Sequence, residues 1–558
     1  MKVIINSSMI FRIFAKYSGS FTLLFLLLTL SGCHRNCEYQ SMDNIVVSIN
    51  NDPLSLDPRQ VTLSRDLSLM KNIYEGLFRE HPAGPQPAIT QHYHVSEDGI
   101  TYTFTLKPTL WSNGDPVTAY DFEESLTQLH SSDLIPSNPS LLFGIKNSKA
   151  IREGLLPKES LGVKALSSNI LQIILERPLT HFCHMLTHPI FFPVHKSKRD
   201  TYTKNCVEND SAFISNGPFV ISKYRMQDLI EISKNPLYWD ANHVQLNKIS
   251  FKVFPDAYTT HKLFKQGEVH WEGSPWSVPI PREPMKQLEQ ASPNSLHSFP
   301  VMGTAVLICN TKRSPSNNLN LRKALAYAIN RESLLSLAGE YNSTAYSFLP
   351  PLLSQIESTY VGMSQEERES TAKKYFELAK KELSEKDLKD LSITYPMESK
   401  IFAYVIQEIQ QQWKEVLNFF VPIVGVEYHN FIEKRKQGAY TIASGGWIAE
   451  YSHPLAFLSI LGDPDKNAAP RHASKWKNNS FDTILNSLYS AKDENISQLI
   501  TKAEELIIAD YPVIPLYHYG YLYAVNLPIK NIYASPLGTL DLKYAIIDRE
   551  SIKERANC

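Results

Sequence analysis

The sequence predicts an α/β protein, and two observations support that fold class. Segments 392–395, 424–428 and 440–444 read as short strands, and an amphipathic stretch over 401–417 separates the first two, as in βαβ units. Hydrophobic residues make up 43% of the 558-residue chain and charged residues 20%, so the chain can bury a large core. No internal repeat or low-complexity linker interrupts this pattern.

The first clear strand and helix lie on either side of a turn near residue 114. Thr101–Leu106 alternates polar and apolar residues, which predicts a strand with one buried face. Segment 112–116 has turn chemistry, because it combines Asn, Gly and Pro. Thr118 precedes Asp121 by three residues, which predicts a capping box and a helix that runs to Leu129.

Further helices are predicted from apolar spacing over 321–330, 370–386, 401–417 and 496–509. In the third of these, apolar residues recur every three or four positions, so they share one helix face that we expect to be buried. Those residues are Ile401, Val405, Ile409, Trp413 and Val416.

The N-terminus has the pattern of a secretory signal peptide. Basic residues precede an apolar run over 21–30, and small residues follow it directly, so we predict that 1–32 is a cleaved signal. The sequence Leu-Ser-Gly-Cys that ends at Cys33 resembles the lipobox of bacterial lipoproteins, which implies that Cys33 carries a lipid. No later apolar stretch approaches the ~20 residues that a spanning helix needs.

Charge and cysteine content exclude two classes of protein. The 56 basic and 57 acidic residues give a net charge of −1, which argues against a nucleic-acid-binding protein. Without Cys33 the chain has five cysteines, an odd number, so it is not a disulfide scaffold. Cys183 and Cys206 could form a bridge or remain free thiols, and the sequence leaves both open.

Catalytic and cofactor motifs are absent from the sequence. It has no nucleophile elbow, no zinc-protease motif, no phosphate-binding loop and no dinucleotide fingerprint, so we expect no enzyme activity and no cofactor. His181, His184 and His188 would share one face of a helix beside Cys183, which is the spacing of metal ligands. The alternative is a helix that carries histidines and ends at Pro189, and we predict no metal site.

Several short motifs, in a fixed order along the mature chain, resemble a known family. They are DPLSLDP at 52–58, YEGL at 74–77, LKPTLWSNGDPVTAYDF at 106–122, GVKA at 162–165, NGPF at 216–219, NPLYW at 235–239, FKQGEV at 264–269, LRKALAYAINR at 321–331 and GWIAEY at 446–451. Together they resemble the bacterial extracellular solute-binding proteins of family 5, which bind oligopeptides, dipeptides or nickel. The oligopeptide-binding lipoproteins of ABC transporters are the most similar branch.

This resemblance implies a two-lobed periplasmic-binding-protein clamp of type II, with an extra domain on one lobe. The implied borders make the first lobe discontinuous. They place lobe I at 38–75, 200–301 and 516–558, the extra domain at 76–199, and lobe II at 302–515.

The resemblance also implies a ligand, a short extended peptide that pairs with strand edges in the cleft between the lobes. The residues implied for those edges are Val301, Met302, Gly303 and Thr304 on one side, and Gly445, Gly446, Trp447 and Ile448 on the other. Trp447 and Tyr428 are implied as aromatic walls of the side-chain pockets; the alternative is that both are ordinary core residues.

Two charged residues are implied as anchors for the ends of the peptide. Glu450 stands where the family usually has an aspartate that binds the peptide's α-ammonium group, and the longer side chain is a departure from that pattern. Arg435 matches an arginine that attracts the terminal carboxylate, although it could also lie on a solvated basic helix face. Ser444 stands where the family can have another carboxylate-binding arginine, so the preferred ligand length does not carry over.

The expected function is therefore that of a monomeric, lipid-anchored receptor on the extracytoplasmic face of a bacterial membrane. It would deliver short peptides to the permease and ATPase subunits of an ABC importer. The alternatives are a receptor for cell-wall (murein) peptides, a receptor for a metal, metal chelate or haem, and a secreted hydrolase.

The lipobox resemblance predicts that cleavage occurs between Gly32 and Cys33 and that Cys33 is lipidated. Intact mass spectrometry of the protein extracted from membranes should show a chain that begins at Cys33 and carries the added mass of acyl groups. An unmodified Cys33, or a chain that retains 1–32, would contradict this prediction.

Overall fold

The computed structural model describes residues 44–550, with gaps at 132–133, 135, 137, 199–212, 355, 357–361, 463–473 and 492. The predicted signal at 1–32, the lipidation site Cys33 and the possible bridge partner Cys206 lie outside the described residues. Within the described residues, none of the helices combines the length and the apolar character that a membrane span requires.

The helices of the described residues have the following bounds: α1 Ser64–Ile73, α2 Ala119–Gln128, α3 Ser148–Arg152, α4 Phe182–Met185, α5 Ala257–Gln266, α6 Arg282–Ala291, α7 Leu319–Tyr327, α8 Arg331–Ala338, α9 Gln365–Glu382, α10 Glu385–Lys389, α11 Lys400–Leu417, α12 Tyr428–Gln437, α13 Leu455–Leu458, α14 Asn479–Ser490 and α15 Asp493–Asp510.

The strands have these bounds: β1 Asn44–Ile49, β2 Phe78–Arg79, β3 Gln86–Pro87, β4 Thr90–Val95, β5 Thr101–Leu106, β6 Val163–Ser167, β7 Ile170–Ile174, β8 Phe219–Arg225, β9 Leu229–Lys234, β10 Lys248–Val253, β11 Trp271–Gly273, β12 Leu296–Cys309, β13 Ser343–Thr344, β14 Ile393–Pro396, β15 Ile423–Val426, β16 Ile442–Ile448, β17 Val513–Val525, β18 Ile529–Lys530, β19 Tyr533–Ala534, β20 Leu540–Asp541 and β21 Ile546–Ile547.

One large mixed sheet extends through most of the molecule in the order β15-β14-β16-β12-β17-β11-β1-β10-β9-β8, and β13 also pairs with β17. We call the part built on β1 and β8–β11 the first lobe and the part built on β13–β16 the second lobe. A separate four-stranded sheet, β4-β5-β7-β6, forms the extra domain. The residue borders given above for these three parts stay a prediction.

Strands β12 and β17 connect the two lobes because both are long enough to belong to each. In the first lobe they pair from Leu296↔Ala524 to Pro300↔Gly520, and in the second from Thr304↔His518 to Ile308↔Val513. The register shifts between these two stretches, at Pro300–Thr304. A bulge of this kind interrupts the ladder and bends the strand, so it marks the place where the lobes meet.

Strands and helices that depend on neighbouring residues form where the sequence predicts them. Where a predicted helix ends at a different residue, a capping residue explains the difference. Strand β5 and the capping box of Thr118 and Asp121 are confirmed. The helix predicted over 321–330 ends early, because Asn330 instead caps α8. The helix predicted over 370–386 is interrupted, because Ser384 starts a second capping box and a new helix.

Helix α11 packs its predicted apolar stripe into the core of the second lobe. Val405, Ile409 and Trp413 are completely buried, and the Trp413 indole donates to the Leu325 carbonyl over 2.9 Å. The prediction was wrong at Ile401, which lies in the first turn of the helix and is 39% exposed. The βαβ prediction is confirmed, since β14 and β15 are parallel and α11 connects them.

A buried ion network joins distant segments of the first lobe. The Arg79 guanidinium donates to both carboxylate oxygens of Asp541, at 2.6 and 2.9 Å, and to Glu75 at 2.9 Å. Burial alone would raise the pKa of the Asp541 carboxyl, but Arg79 and Lys543 hold it below its ordinary value. The network therefore fastens the C-terminal segment of the chain to the segment that follows α1.

This network predicts a large loss of stability when Asp541→Asn removes the charge that compensates Arg79. The free energy of unfolding should fall by ~3 kcal/mol, because a buried charge loses its partner. Since the pKa of Asp541 is lowered, its contribution to stability is present above about pH 4 and is lost as the pH falls further. Urea denaturation followed by tryptophan fluorescence measures both effects.

The control is Asp228→Asn, which breaks the exposed ion pair with Arg225. Both partners of that pair are more than half exposed, so the stability should change by less than about 0.5 kcal/mol. Equal effects of the two substitutions would show that the buried network does not stabilise the lobe.

Candidate ligand-binding site

Strand β16 has one free edge in the second lobe. On one side it pairs with β12 along its whole length, from Cys309↔Ile442 to Gly303↔Ile448. On the other side it pairs with β14 only at Ile442 and Ala443. Among the described residues, the part of β16 beyond Ala443 has no strand partner on that side. A strand edge of this kind is the type of site where an extended backbone can pair.

Residues 301–304 were expected to form a strand edge in the cleft, but Gly303 and Thr304 pair directly with β16. Val301, Met302, Gly303 and Thr304 belong to β12, which lies between β16 and β17, and all four are buried. Thr304 pairs with Trp447 on one side and with His518 on the other. The two segments thus pair with each other at Gly303 and Thr304, whereas Val301 and Met302 lie in the register shift of β12. The role of these residues in ligand binding stays a prediction.

Two glycines bring a tyrosine directly against this strand pair. A Cβ atom at Gly446 would lie 2.1 Å from the Tyr519 hydroxyl oxygen, and one at Gly303 would lie 2.5 Å from its ring. No larger residue fits either position unless Tyr519 moves. The absence of side chains at these two positions therefore lets Tyr519 pack directly against β12 and β16.

A cavity of about 210 Å³ lies beside the free edge. Its walls are apolar except at one side, where two cationic residues of α12 contribute. The lining residues are Val306, Ile308, Phe348, Ile432, Arg435, Lys436, Gly446, Trp447, Ile460, Leu461, Ser474 and Val513. No acidic residue is among the described residues that line it, so the cavity favours an apolar group that carries negative charge or a hydrogen-bond acceptor.

Arg435 is the polar group of this cavity that lacks a partner. Its Nε atom is buried and has no hydrogen-bond acceptor among the described residues, while the guanidinium lies 5.6 Å from the Phe431 ring. Burial lowers the pKa of Arg435, and the nearby Tyr440 and Tyr428 hydroxyls oppose that shift. A buried donor without an acceptor costs ~1–3 kcal/mol, which a bound acceptor would recover.

Local signals in the sequence hold α12, and hence Arg435, in place. The Glu427 carboxylate accepts from the backbone N–H groups of His429 and Asn430 and so caps the N-terminus of the helix. Gly438 ends it with φ at 71°, a left-handed conformation that glycine adopts without strain. The same cap explains why the strand predicted over 424–428 ends at Val426.

Of the two aromatic residues that were predicted to line pockets, Trp447 lines the cavity and Tyr428 does not. Trp447 lines the cavity, and its indole Nε1 donates to the Ala456 carbonyl over 2.8 Å, which fixes the ring. Tyr428 does not line the cavity; it is 58% exposed in the first turn of α12. Its hydroxyl is nevertheless close enough to Arg435 to influence the pKa of the guanidinium.

Glu450 lies just beyond β16, half-buried, and it does not line the cavity. The segment around it is held by the bond from the Ala449 N–H to the Met302 carbonyl, at 2.8 Å. Tyr451, the next residue, is buried against the extra domain. The role of Glu450 as an anchor stays a prediction, and the geometry places it near the junction of the extra domain and the second lobe.

The histidine cluster does not have the geometry that its spacing indicated. Helix α4 ends at Met185, and the His188 Nδ1 instead accepts from the Ile190 N–H because Pro189 starts a new turn. The three histidines therefore do not share a helix face. Within the part of the chain that the structure describes, no three His, Cys, Asp or Glu side chains are placed to hold a metal ion.

Sequence reasoning missed Tyr519, Phe348 and Leu461 as parts of the site. The alternation of tyrosines over 517–523 predicts a strand with one aromatic face, and the Gly445-Gly446 pair indicates that another group packs closely against the backbone there. The sequence therefore contains an indication of the position of Tyr519. Phe348 and Leu461 had none, since they reach the cavity only through long-range packing.

The chain is similar to known proteins over nearly its whole length. Residues 84–469 match the family described as "Bacterial extracellular solute-binding proteins, family 5 Middle". The oligopeptide-binding protein OppA of Bacillus subtilis is 30% identical over 498 residues, covering 87% of this chain and 89% of that protein. The periplasmic murein peptide-binding protein MppA of Escherichia coli is 26% identical, covering 85% and 87%.

A solved structure has the same fold. The Haemophilus influenzae OppA complex with the peptide RPPGFSPFR superimposes with a TM-score of 0.74 at 23% identity, covering 91% of this chain and 99% of that one. This likeness confirms the two-lobed clamp with an extra domain that the sequence predicted.

The close approach of Tyr519 predicts that Gly446→Ala destabilises the second lobe. The new methyl group would overlap the tyrosine hydroxyl, and overpacking of this kind costs ~1–3 kcal/mol. Adding Tyr519→Phe removes the hydroxyl and should restore part of the loss, because the nearest ring atom is then 3.1 Å away. Thermal denaturation of both single variants and the double variant measures the coupling.

Gly362→Ala is the matched control, since no atom of the described residues lies within 4 Å of the Cβ position there. It should leave the melting temperature nearly unchanged. If Gly446→Ala is equally harmless, Tyr519 does not depend on the open space at Gly446.

Proposed function

We propose that this chain, which belongs to the bacterial extracellular solute-binding proteins of family 5, captures short oligopeptides and delivers them to the permease of an ABC importer. Two relatives support a peptide as the ligand, because one is named an oligopeptide-binding protein and the other a murein peptide-binding protein. The family consists of solute-binding proteins, and the proposed role is binding rather than catalysis.

The observation that carries this proposal is the free edge of β16 beside a cavity with an unpartnered arginine. A peptide that pairs with this edge would satisfy its own backbone N–H and C=O groups whatever its sequence. Strand pairing of this kind uses only groups that every peptide has, which suits a receptor for many peptides. The ligand backbone would then lie alongside the part of β16 that follows Ala443.

The cavity is suited to one part of a peptide. At about 210 Å³ it is smaller than the ~300–1,000 Å³ typical of complete small-molecule sites, so it would take one side chain or one terminus. Its apolar walls and the Arg435 guanidinium favour a group that ends in a carboxylate. We therefore propose Arg435 as the anchor for a ligand carboxylate, with Trp447 as the wall beside it.

Cell-wall peptides are a second candidate ligand class. They are favoured by the two cations, Arg435 and Lys436, at one small cavity, and by the relative named for murein peptides. Native mass spectrometry of protein purified without refolding distinguishes the candidates, because such clamps can retain their ligand. A haem or metal-chelate mass in place of a peptide mass would contradict both.

We further propose an exported, lipid-anchored protein, on the basis of the signal pattern and of Cys33. A receptor held at the membrane surface stays close to its permease. The ATPase subunits of the importer would supply the energy for transport, which matches the expectation that this chain has no catalytic residues of its own.

Arg435 as a carboxylate anchor predicts a selective loss of affinity in Arg435→Gln. Binding of a free-acid peptide should weaken by roughly 10- to 100-fold, since a hydrogen bond to a charged group contributes ~1.5–3 kcal/mol. Binding of the C-terminally amidated peptide should change much less. Because the buried guanidinium has no partner without ligand, the melting temperature of the unliganded protein should not fall.

Lys434→Gln is the matched control, as it removes an exposed cation from the same helix. Calorimetry with the two peptide forms provides the measurement. A lowered melting temperature with unchanged affinity would instead identify Arg435 as a structural residue.

Glu450 as the ammonium anchor predicts that binding depends on a free α-amino group. Acetylating the peptide, or replacing Glu450→Gln, should each weaken binding by at least about tenfold, because a buried charge loses its partner. The two changes together should cost little more than either one alone. Independent, additive effects measured by calorimetry would show that Glu450 does not contact the ammonium group.

A further inference from the structure

A cluster of aromatic and histidine rings connects the extra domain to the second lobe. The His181 ring, from the extra domain, stacks on Tyr451 at 5.3 Å and on His453 at 4.6 Å, both with an interplanar angle of 17°. His184 lies 6.2 Å from His453, and Tyr489 lies 6.1 Å from His181. We call these five residues the junction cluster.

The junction cluster is built for uncharged histidines. The His453 Nδ1 accepts a hydrogen bond from the Leu455 N–H over 3.2 Å, so a proton on that nitrogen would break the bond. The Nδ1 atoms of His181 and His184 are buried without a hydrogen-bond partner among the described residues. Protonated histidines would therefore lie in contact with one another, with at least three N–H donors and no acceptor in place.

The groups around the junction cluster increase the cost of protonation. Arg177, on the extra domain, lies over the Tyr489 ring at 3.8 Å and places a second positive charge nearby. The Cys183 thiol is hydrogen-bonded to Tyr93. Burial raises the pKa of the Cys183 thiol to about 11, so this group adds no negative charge to the cluster.

Two carboxylates stand close to the junction cluster along the chain. The Glu176 carboxylate accepts from the Asn147 N–H at 2.5 Å, and Glu450 precedes Tyr451 on the side of the second lobe. The Glu176 carboxylate is thus engaged by the extra domain's own backbone.

Burial shifts the titration of all three histidines in the same direction. It lowers the pKa of His181 well below its ordinary value, with further lowering by His453, His184 and Arg177. It lowers the pKa of His453 to about 4, and it also lowers that of His184. If the two parts separate, water reaches the rings and the pKa values return toward about 6.5.

We propose that the junction cluster is an acid-sensitive latch, which holds the extra domain against the second lobe while its histidines are neutral and releases it when they are protonated. Because the cleft lies between the lobes, release would open the clamp and let a bound ligand leave. The claim that protonation opens the clamp is based on the ring contacts alone. Only the claim that opening releases a ligand rests on the proposed function.

Proton linkage gives the direction in which pH shifts the equilibrium between the closed and the open state. The closed state binds fewer protons than the open state between about pH 6.5 and pH 4, so acidification in this window favours opening. A histidine whose pKa falls from 6.5 to about 4 shifts the equilibrium roughly 30-fold toward the open state at pH 5.0. Above pH 7 all three rings are neutral in both states, and the latch is insensitive to pH.

Two further buried histidines, His270 and His518, have their hydrogen bonds within single lobes. His270 bonds to Val46 within the first lobe, and His518 bonds to Thr304 within the second. Burial lowers the pKa of each to about 4, so they titrate when a lobe unfolds and not when the lobes separate. Opening and unfolding must therefore be followed by separate measurements.

Small-angle X-ray scattering of the ligand-free mature chain, from pH 7.5 to pH 4.5, tests the latch. The radius of gyration should increase between pH 6.5 and pH 4.5 while near-UV circular dichroism remains native. His181→Phe keeps a flat ring that cannot titrate, and His453→Asn keeps an acceptor for the Leu455 N–H. Either variant should reduce the pH dependence, and the control His94→Asn, on an exposed residue of β4, should not.

Three results would overturn the proposal. They are a radius of gyration that stays constant to pH 4.5, variants that open with the same pH dependence as the wild type, and stabilisation by Zn²⁺ at pH 7.5 that His181→Phe abolishes. The last would identify a metal site in place of a proton switch.

A ligand measurement extends the test. Affinity for tetra-alanine should fall by at least tenfold from pH 7.5 to pH 5.0 in the wild type and less in either variant. If tetra-alanine does not bind at any pH, the proposed function fails for this ligand, but the scattering result still decides the latch.

Discussion

The strand pair β12 and β17 is the constraint on which the rest of the structure depends. The two strands pair in the first lobe and again in the second, with a register shift at Pro300–Thr304 between the two stretches. Each lobe is thus completed by the same two strands. At the register shift the two strands form the fewest backbone hydrogen bonds, so a movement of the lobes there breaks the fewest of them. The position of β16, and with it the free edge and the cavity, follows from its pairing with β12.

Buried arginines show how the site differs from the scaffold. Arg59 donates to both oxygens of Asp57, and Arg331 donates to the carbonyl of Pro515, so these side chains have partners within the protein. The Arg435 Nε has none among the described residues. A bound ligand with a carboxylate would supply the acceptor that this buried donor lacks. Arg368, outside the cavity, also has a buried Nε without an acceptor, but its two Nη atoms donate to Tyr346 and Gln365.

Sequence reasoning succeeded where the signal is local. The capping box at Thr118, the strand Thr101–Leu106 and the buried face of α11 depend on residues within a few positions of one another. It failed where partners are distant, because periodicity cannot indicate which strand lies beside which. Segment 301–304 was therefore taken as an exposed edge, although Thr304 pairs with a strand on each side, and nothing in the sequence indicated the contact of His181 with His453.

The fastening of Asp541 to Arg79 has a consequence for how the protein is made. The first lobe needs β17 and the segment around Asp541, which are synthesised after β1 and β8–β11, the other strands of that lobe. Until they emerge, β11 and β12 lack their β17 partner, and their edges and apolar faces are exposed. The earlier strands of the first lobe must therefore wait for β17 and the Asp541 segment before the fold of that lobe is complete. During synthesis or export, this interval is when the chain is most open to aggregation and most in need of a chaperone.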